Sequence, residues 1–169
     1  MTQTHTETHP STAALIAGFA QVKLPVTDLA RSIAWYRDVL GLRHWTEFSE
    51  EGQVRGAGLI DPDGRFNIAL RLREHCAGTP DLTGFDVVAF TPASRAAMDD
   101  LAAHCDRLGV AHGPCVEGPE GARLDIPDPD GTVLRFYHFT APTDGFTGVV
   151  LDDGVTTATY PATRLTVVG

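Results

Sequence analysis

From Ala20 the chain alternates, with Val22, Leu24 and Val26 on one face and Gln21 and Lys23 on the other. A period of two predicts a strand packed on one side only. The period then changes. In T-D-L-A-R-S-I-A-W-Y-R-D-V-L-G, Leu29, Ile33, Tyr36 and Leu40 recur at helical spacing. Asp28 is placed to cap the start of that helix, and Gly41 to end it in a left-handed turn. Three short strand-like runs follow at residues 42–47, 54–60 and 67–72, with D-P-D-G at 61–64 as the turn before the last.

The same order then returns. Residues 85–90 read as a strand. Residues 94–108 read as a helix with Met98, Leu101, Cys105 and Leu108 on one face, ended by Gly109. Further strand-like runs lie at 111–116, 122–126 and 132–139, and a second D-P-D-G stands at 128–131. The offsets are 66 for the first strand, 68 between the two L-G helix ends, and 67 between the two D-P-D-G turns. Three landmarks agreeing this closely predict an α+β chain of two tandem β-α-β-β-β modules, at residues 18–78 and 79–140. A period near 67 is too long for a solenoid repeat of about 20–50 residues.

Two segments fall outside the repeat. Residues 1–17 are polar at their start, Thr-rich, and read as a mobile tail. Its His5 and His9 have the spacing of a helical metal pair, but the Thr-rich context and Pro10 favour a solvated tail. Residues 141–169 form a C-terminal extension in which Asp153-Gly154, between β-branched runs, signals a hairpin. That hairpin is expected to cover a sheet edge or line a dimer contact, with a ligand lid as the alternative.

Composition narrows the partners. The chain has 169 residues, 43% of them hydrophobic, enough for one compact domain. A net charge of −9 argues against nucleic acid or an anionic membrane as partner. No apolar run approaches the roughly 20 residues of a membrane helix, and no cationic leader precedes the core. The three cysteines, Cys76, Cys105 and Cys115, lack C-x-x-C spacing, so reduced thiols in a cytoplasmic protein are expected.

The phrases V-K-L-P-V-T-D-L-A-R-S-I-A-W-Y-R-D-V-L-G-L, G-F-D-V-V-A-F and D-P-D-G-T-V-L-R-F-Y resemble the vicinal oxygen chelate superfamily. That group includes glyoxalase I, the extradiol dioxygenases and the bleomycin-resistance proteins. The resemblance implies two modules curled into an incomplete barrel around a central cup, often in a homodimer. It also implies one divalent metal, held by side chains from the first and last strand of each module. Here those positions carry Gln21, Val87 and Arg135, with the fourth falling on Ala69 or Arg71. Valine and alanine donate no lone pair, a guanidinium repels a cation, and one amide oxygen does not hold a transition ion. No metal or other cofactor is therefore expected. A relocated site would have to draw on His44, Glu47, His104 or His138, each of which reads more simply as surface or edge.

Strand parity extends the site. Lys23 shares a face with Gln21, Arg71 with Ala69, Ala89 with Val87, and Tyr137 with Arg135. Trp45 on the second strand is placed to reach the same cup. Three cations near one pocket each need an anion, from the protein (Asp125 and Glu47 are candidates) or from a ligand. One expectation is a metal-independent enzyme in which Arg135 and Lys23 steady an oxyanion while Tyr137 or Lys23 moves a proton. Its reaction would be an isomerisation, elimination, cyclisation or ring opening next to a carbonyl. The other is a bleomycin-resistance-like protein that sequesters a neutral or acidic small molecule without changing it. Gln21, Ala69, Arg71, Val87, Ala89 and Trp45 would contact that molecule in either case.

Overall fold

The computed structural model describes residues 18–140, 148–152 and 155–166. His5 and His9, the whole 1–17 tail and the Asp153-Gly154 turn lie outside them. The first module runs β1 (Val22–Val26), α1 (Leu29–Leu40), β2 (Arg43–Glu50), β3 (Gln53–Ile60) and β4 (Asn67–Leu72). The second runs β5 (Val88–Phe90), α2 (Arg95–Leu108), β6 (Val116–Gly118), β7 (Gly121–Pro127) and β8 (Val133–Phe139). Each makes a four-stranded sheet of the same topology, β1-β4-β3-β2 and β5-β8-β7-β6. In both, the first strand pairs parallel with the last and the other pairs are antiparallel. The duplication expected from the spacing is thus present in element order and sheet topology.

Both helices begin and end for local reasons. Asp28 accepts from the Arg31 amide at 3.0 Å, and Ser94 Oγ accepts from the Ala97 amide at 3.0 Å. Gly41 and Gly109 both turn left-handed, with φ of 68° and 67°. The helices cover one face of each sheet. Leu24, Tyr36, Ile68, Leu70, Met98, Leu124 and Leu134 are fully buried in one core that spans both modules.

One expected strand is largely absent. Within residues 111–116 only Val116 belongs to a strand, because Pro114 has no amide to donate. Ahead of Val116 the segment bonds to β7 from the Gly113 amide to the Asp125 carbonyl, 2.8 Å.

The two D-P-D-G turns have parted company. Asp128 is 5% exposed and reaches into the other module, where it accepts from the buried Tyr36 hydroxyl at 2.9 Å. Its other oxygen accepts from the Asp130 and Thr132 amides, both at 2.9 Å. Asp130 in turn accepts from the Thr27 amide and hydroxyl and pairs with Arg31 at 3.1 Å. The modules are therefore clasped on this side by side-chain hydrogen bonds, as well as by the contact of Phe66 with Phe90.

Asp61 instead turns inward on its own loop. It is 4% exposed and takes hydrogen bonds from the Arg65 guanidinium at 2.6 and 2.9 Å and from the Asp63 and Arg65 amides. The Arg65 hydrogen bond outweighs burial and pulls its carboxyl down to about 2. An unfolded aspartate titrates near 3.9. The stability from this group is thus complete above that value and is lost as pH falls toward 2. Asp61→Asn should flatten the acid limb of a melting-temperature profile between pH 4 and 2. A limb identical to that of the wild type would refute the assignment.

Candidate functional site

The faces turned away from the helices carry the charged and aromatic side chains of the candidate site. In β7 and β8 every second residue is buried toward α2 (Ala122, Leu124 and Ile126 against Leu134 and Phe136). The alternate residues face the other way and pair across the strands as Gly121 with Phe139, Arg123 with Tyr137, and Asp125 with Arg135. At Gly121, φ is 136° and a Cβ would sit 2.0 Å from the His138 carbonyl oxygen. Only glycine fits there, so β7 begins without a side chain under Phe139.

Over this face lies the C-terminal hairpin, β9 (Gly148–Asp152) paired antiparallel with β10 (Val155–Tyr160). Its Val149, Leu151 and Thr156, together with Arg123, Arg135, Tyr137 and Phe139, enclose a cavity of about 290 Å³. The extension is therefore part of a pocket wall. Tyr137 and Phe139 stack within it, centroids 5.0 Å apart and planes at 20°.

Arg135 stands at the centre of this group. Its Nε and Nη2 donate to the two oxygens of Asp125 at 2.7 and 2.9 Å, and its Nη1 donates to Asp86. The Asp125 hydrogen bond holds the guanidinium above its ordinary range, against the opposing effect of burial. Its carbon lies 5.7 Å from the centroid of the Tyr137 ring. Two protein carboxylates thus answer one cation. Asp125 was legible as a partner from sequence; Asp86 was not.

The first sheet repeats this on a smaller scale. Arg71 donates to both oxygens of Glu50 at 2.7 Å, which, with burial opposing, lowers the Glu50 carboxyl below its ordinary value. Glu47 lies 3.7 Å from His44 and does not meet a predicted cation. Ala69 is fully buried between Lys23 and Gly58 of its neighbouring strands. Lys23 is exposed and has no carboxylate partner among the described residues. Trp45 is 57% exposed.

The nine residues expected around one cup are distributed. Arg135 and Tyr137 share the cavity under the hairpin. Gln21, Val87 and Ala89 line a second cavity of about 450 Å³ at the module junction, beside Phe66 and Phe90. Lys23, Ala69, Arg71 and Trp45 line neither cavity. The rest of the first cavity's lining was missed, its Arg123 and Glu120 included. Arg123 lies two positions before Asp125 in an alternating strand, so parity alone could have found it. Glu120 lies in the β6–β7 turn, where parity has no meaning.

The metal expected of the family finds no fit at these positions. Arg135 occupies one of them with its charge already paired. Among the described residues no group of three His, Cys, Asp or Glu side chains could hold an ion. His104 is engaged with the Asp38 carbonyl at 2.7 Å. Cys76, Cys105 and Cys115 are free thiols. Among the described residues no helix is long and apolar enough to cross a membrane.

Comparison with solved structures agrees with the topology. A glyoxylase/bleomycin resistance protein/dioxygenase domain from Frankia sp. EAN1pec is 25% identical, with a TM-score of 0.61, covering 73% of this chain and 93% of that one. Lactoylglutathione lyase from Agrobacterium tumefaciens is 21% identical (TM-score 0.56, 73% and 94% covered). TnmS3, an antibiotic binding protein from Streptomyces sp. CB03234, is 16% identical (TM-score 0.62, 74% and 98% covered). The last two speak for the fold alone. No curated protein matches the chain. The family model for the Glyoxalase/Bleomycin resistance protein/Dioxygenase superfamily matches residues 18–136, both modules almost entire. With that match and the duplicated sheets, the chain belongs to the Glyoxalase/Bleomycin resistance protein/Dioxygenase superfamily.

Proposed function

We propose that this protein binds a small, flat organic molecule, acidic or phenolic, without a metal, in the cavity beneath the C-terminal hairpin. The carrying observation is the composition of that cavity. It sets the stacked Tyr137 and Phe139 rings beside Val149 and Leu151, with Arg123 as a cation that no carboxylate among the described residues engages. A volume of about 290 Å³ suits a molecule of one or two rings. Arg135 contributes shape and a fixed local field, since its charge is taken up by Asp125 and Asp86. Sequestration is favoured over catalysis for the same reason: the residue placed to steady an oxyanion is already bound to two anions.

A thermal-shift screen of aromatic acids and phenols tests this, with metal analysis of the same sample. A ligand at a hundred times its Kd adds about 2.7 kcal/mol, a rise of several degrees for a chain this long. Leu151→Asp places a charge in the cavity wall at a position 59% exposed. It should weaken binding at least tenfold while leaving the ligand-free melting temperature unchanged. No stabilising compound, or equal binding by the variant, would sink the proposal. A stoichiometric transition metal would sink its metal-free part.

The catalytic alternative is an isomerase, lyase or cyclase using Arg135, Tyr137 and Lys23. It needs Lys23 brought from the other sheet, as a homodimer could do. It predicts turnover of a bound compound that depends on Lys23 and on chain concentration. Ligand recovered unchanged decides for sequestration.

A further inference from the structure

The cavity walls hold two polar groups that the protein leaves unanswered. Glu120 Oε1 is shielded from solvent and has no hydrogen-bond partner among the described residues. Arg123 lines the same cavity, and no ion pair joins it to Glu120 or to any other carboxylate among the described residues. The other acid in the wall is committed, since Glu117 accepts from Arg95 Nε at 2.6 Å. The same wall also carries aromatic and aliphatic side chains, Tyr137, Phe139, Val149 and Leu151. A shielded carboxylate oxygen without a donor is costly, and so is a half-buried guanidinium without an acceptor.

We infer that the ligand of this cavity is two-ended: a flat apolar body with a cationic or donor group for Glu120 and an acidic group for Arg123. The inference rests on the reading of this cavity as the binding site, and it narrows the acidic or phenolic class to amphoteric members. The Arg135–Asp125–Asp86 group adds a formal charge of −1 to the same region, which favours an ammonium over a second acid. An aromatic zwitterion satisfies every group; a simple aromatic acid leaves Glu120 unanswered.

Isothermal titration of the intact protein with 4-(aminomethyl)benzoate, 4-methylbenzoate and 4-methylbenzylamine separates the possibilities. The two-ended probe should bind at least tenfold more tightly than either single-ended one. Glu120→Gln should remove its advantage over 4-methylbenzoate while leaving 4-methylbenzoate itself unchanged. Arg123→Met should remove its advantage over 4-methylbenzylamine. Equal binding of all three probes, or variants that treat them as the wild type does, overturns the two-ended ligand and leaves the cavity reading standing. If these probes and the whole acid and phenol screen fail to bind, both fall together.

Discussion

Asp128→Ala is expected to destabilise the protein by roughly 3 kcal/mol, since unsatisfied buried donors cost about 1–3 kcal/mol each. The substitution leaves two such donors, the Tyr36 hydroxyl and the Thr132 amide, in residues that are 0% and 1% exposed. The Asp130 amide, in a half-buried turn, can find water. Burial raises the Asp128 carboxyl above its ordinary value, so part of the loss is recovered when the charge is removed. At about 2–4 °C per kcal/mol for a chain of this size, the melting temperature should fall by about 6–12 °C. Asp128→Asn keeps an acceptor for the turn and an amide that the Tyr36 oxygen can accept from, and should lose less than half as much. Combined with Tyr36→Phe, a double-mutant cycle isolates the bond between modules. A loss under 1 kcal/mol for the alanine variant would mean that the clasp is incidental to folding.

Arg135→Met should cost about 2 kcal/mol. Breaking a fully buried ion pair costs about 3–5 kcal/mol. Here the arginine, Asp125 and Asp86 side chains are 20%, 31% and 36% exposed, so solvent screens part of the effect. Adding Asp125→Asn to Arg135→Met removes one of the two stranded carboxylates and should restore about half of the loss. Arg135→Lys retains the charge but not the two-pronged geometry toward Asp125, and should fall between. Denaturant melts of the four proteins give the series. If the double variant is less stable than Arg135→Met, repulsion between carboxylates is not what the arginine relieves.

The fold was readable because its signals are local and occur twice. Capping residues, left-handed glycines and D-P-D-G turns are set by a few adjacent residues, and their repetition at near-constant offset separates signal from chance. The strand expected at 111–116 lies later, at Val116–Gly118, because Pro114 removes a strand bond from the run that was read as strand. The candidate site was only half readable. Parity carried Arg135, Tyr137 and Asp125 to one face, since they lie inside regular strands. Asp86 lies before β5 begins and Glu120 lies in a turn, where alternation assigns no direction. That five of the nine expected residues divide between two cavities while four line neither depends on how two sheets pack, which no single strand records.

The hairpin that closes the pocket starts at Gly148, twelve residues beyond Phe136, the last position matched by the family model. The cavity is thus assembled from two stocks of sequence under unlike constraint. The floor is locked by alternation with a buried core, where a change at Arg123 or Tyr137 sits beside residues that cannot move. The roof is a strand pair whose Val149 and Leu151 are 40% and 59% exposed. On the proposed reading of the cavity, drift there would change which molecule is held while the folding unit below stays the same, so homologues sharing the two modules but differing after them would diverge in ligand first. A library randomised only at 149, 151 and 156 would sample that divergence directly.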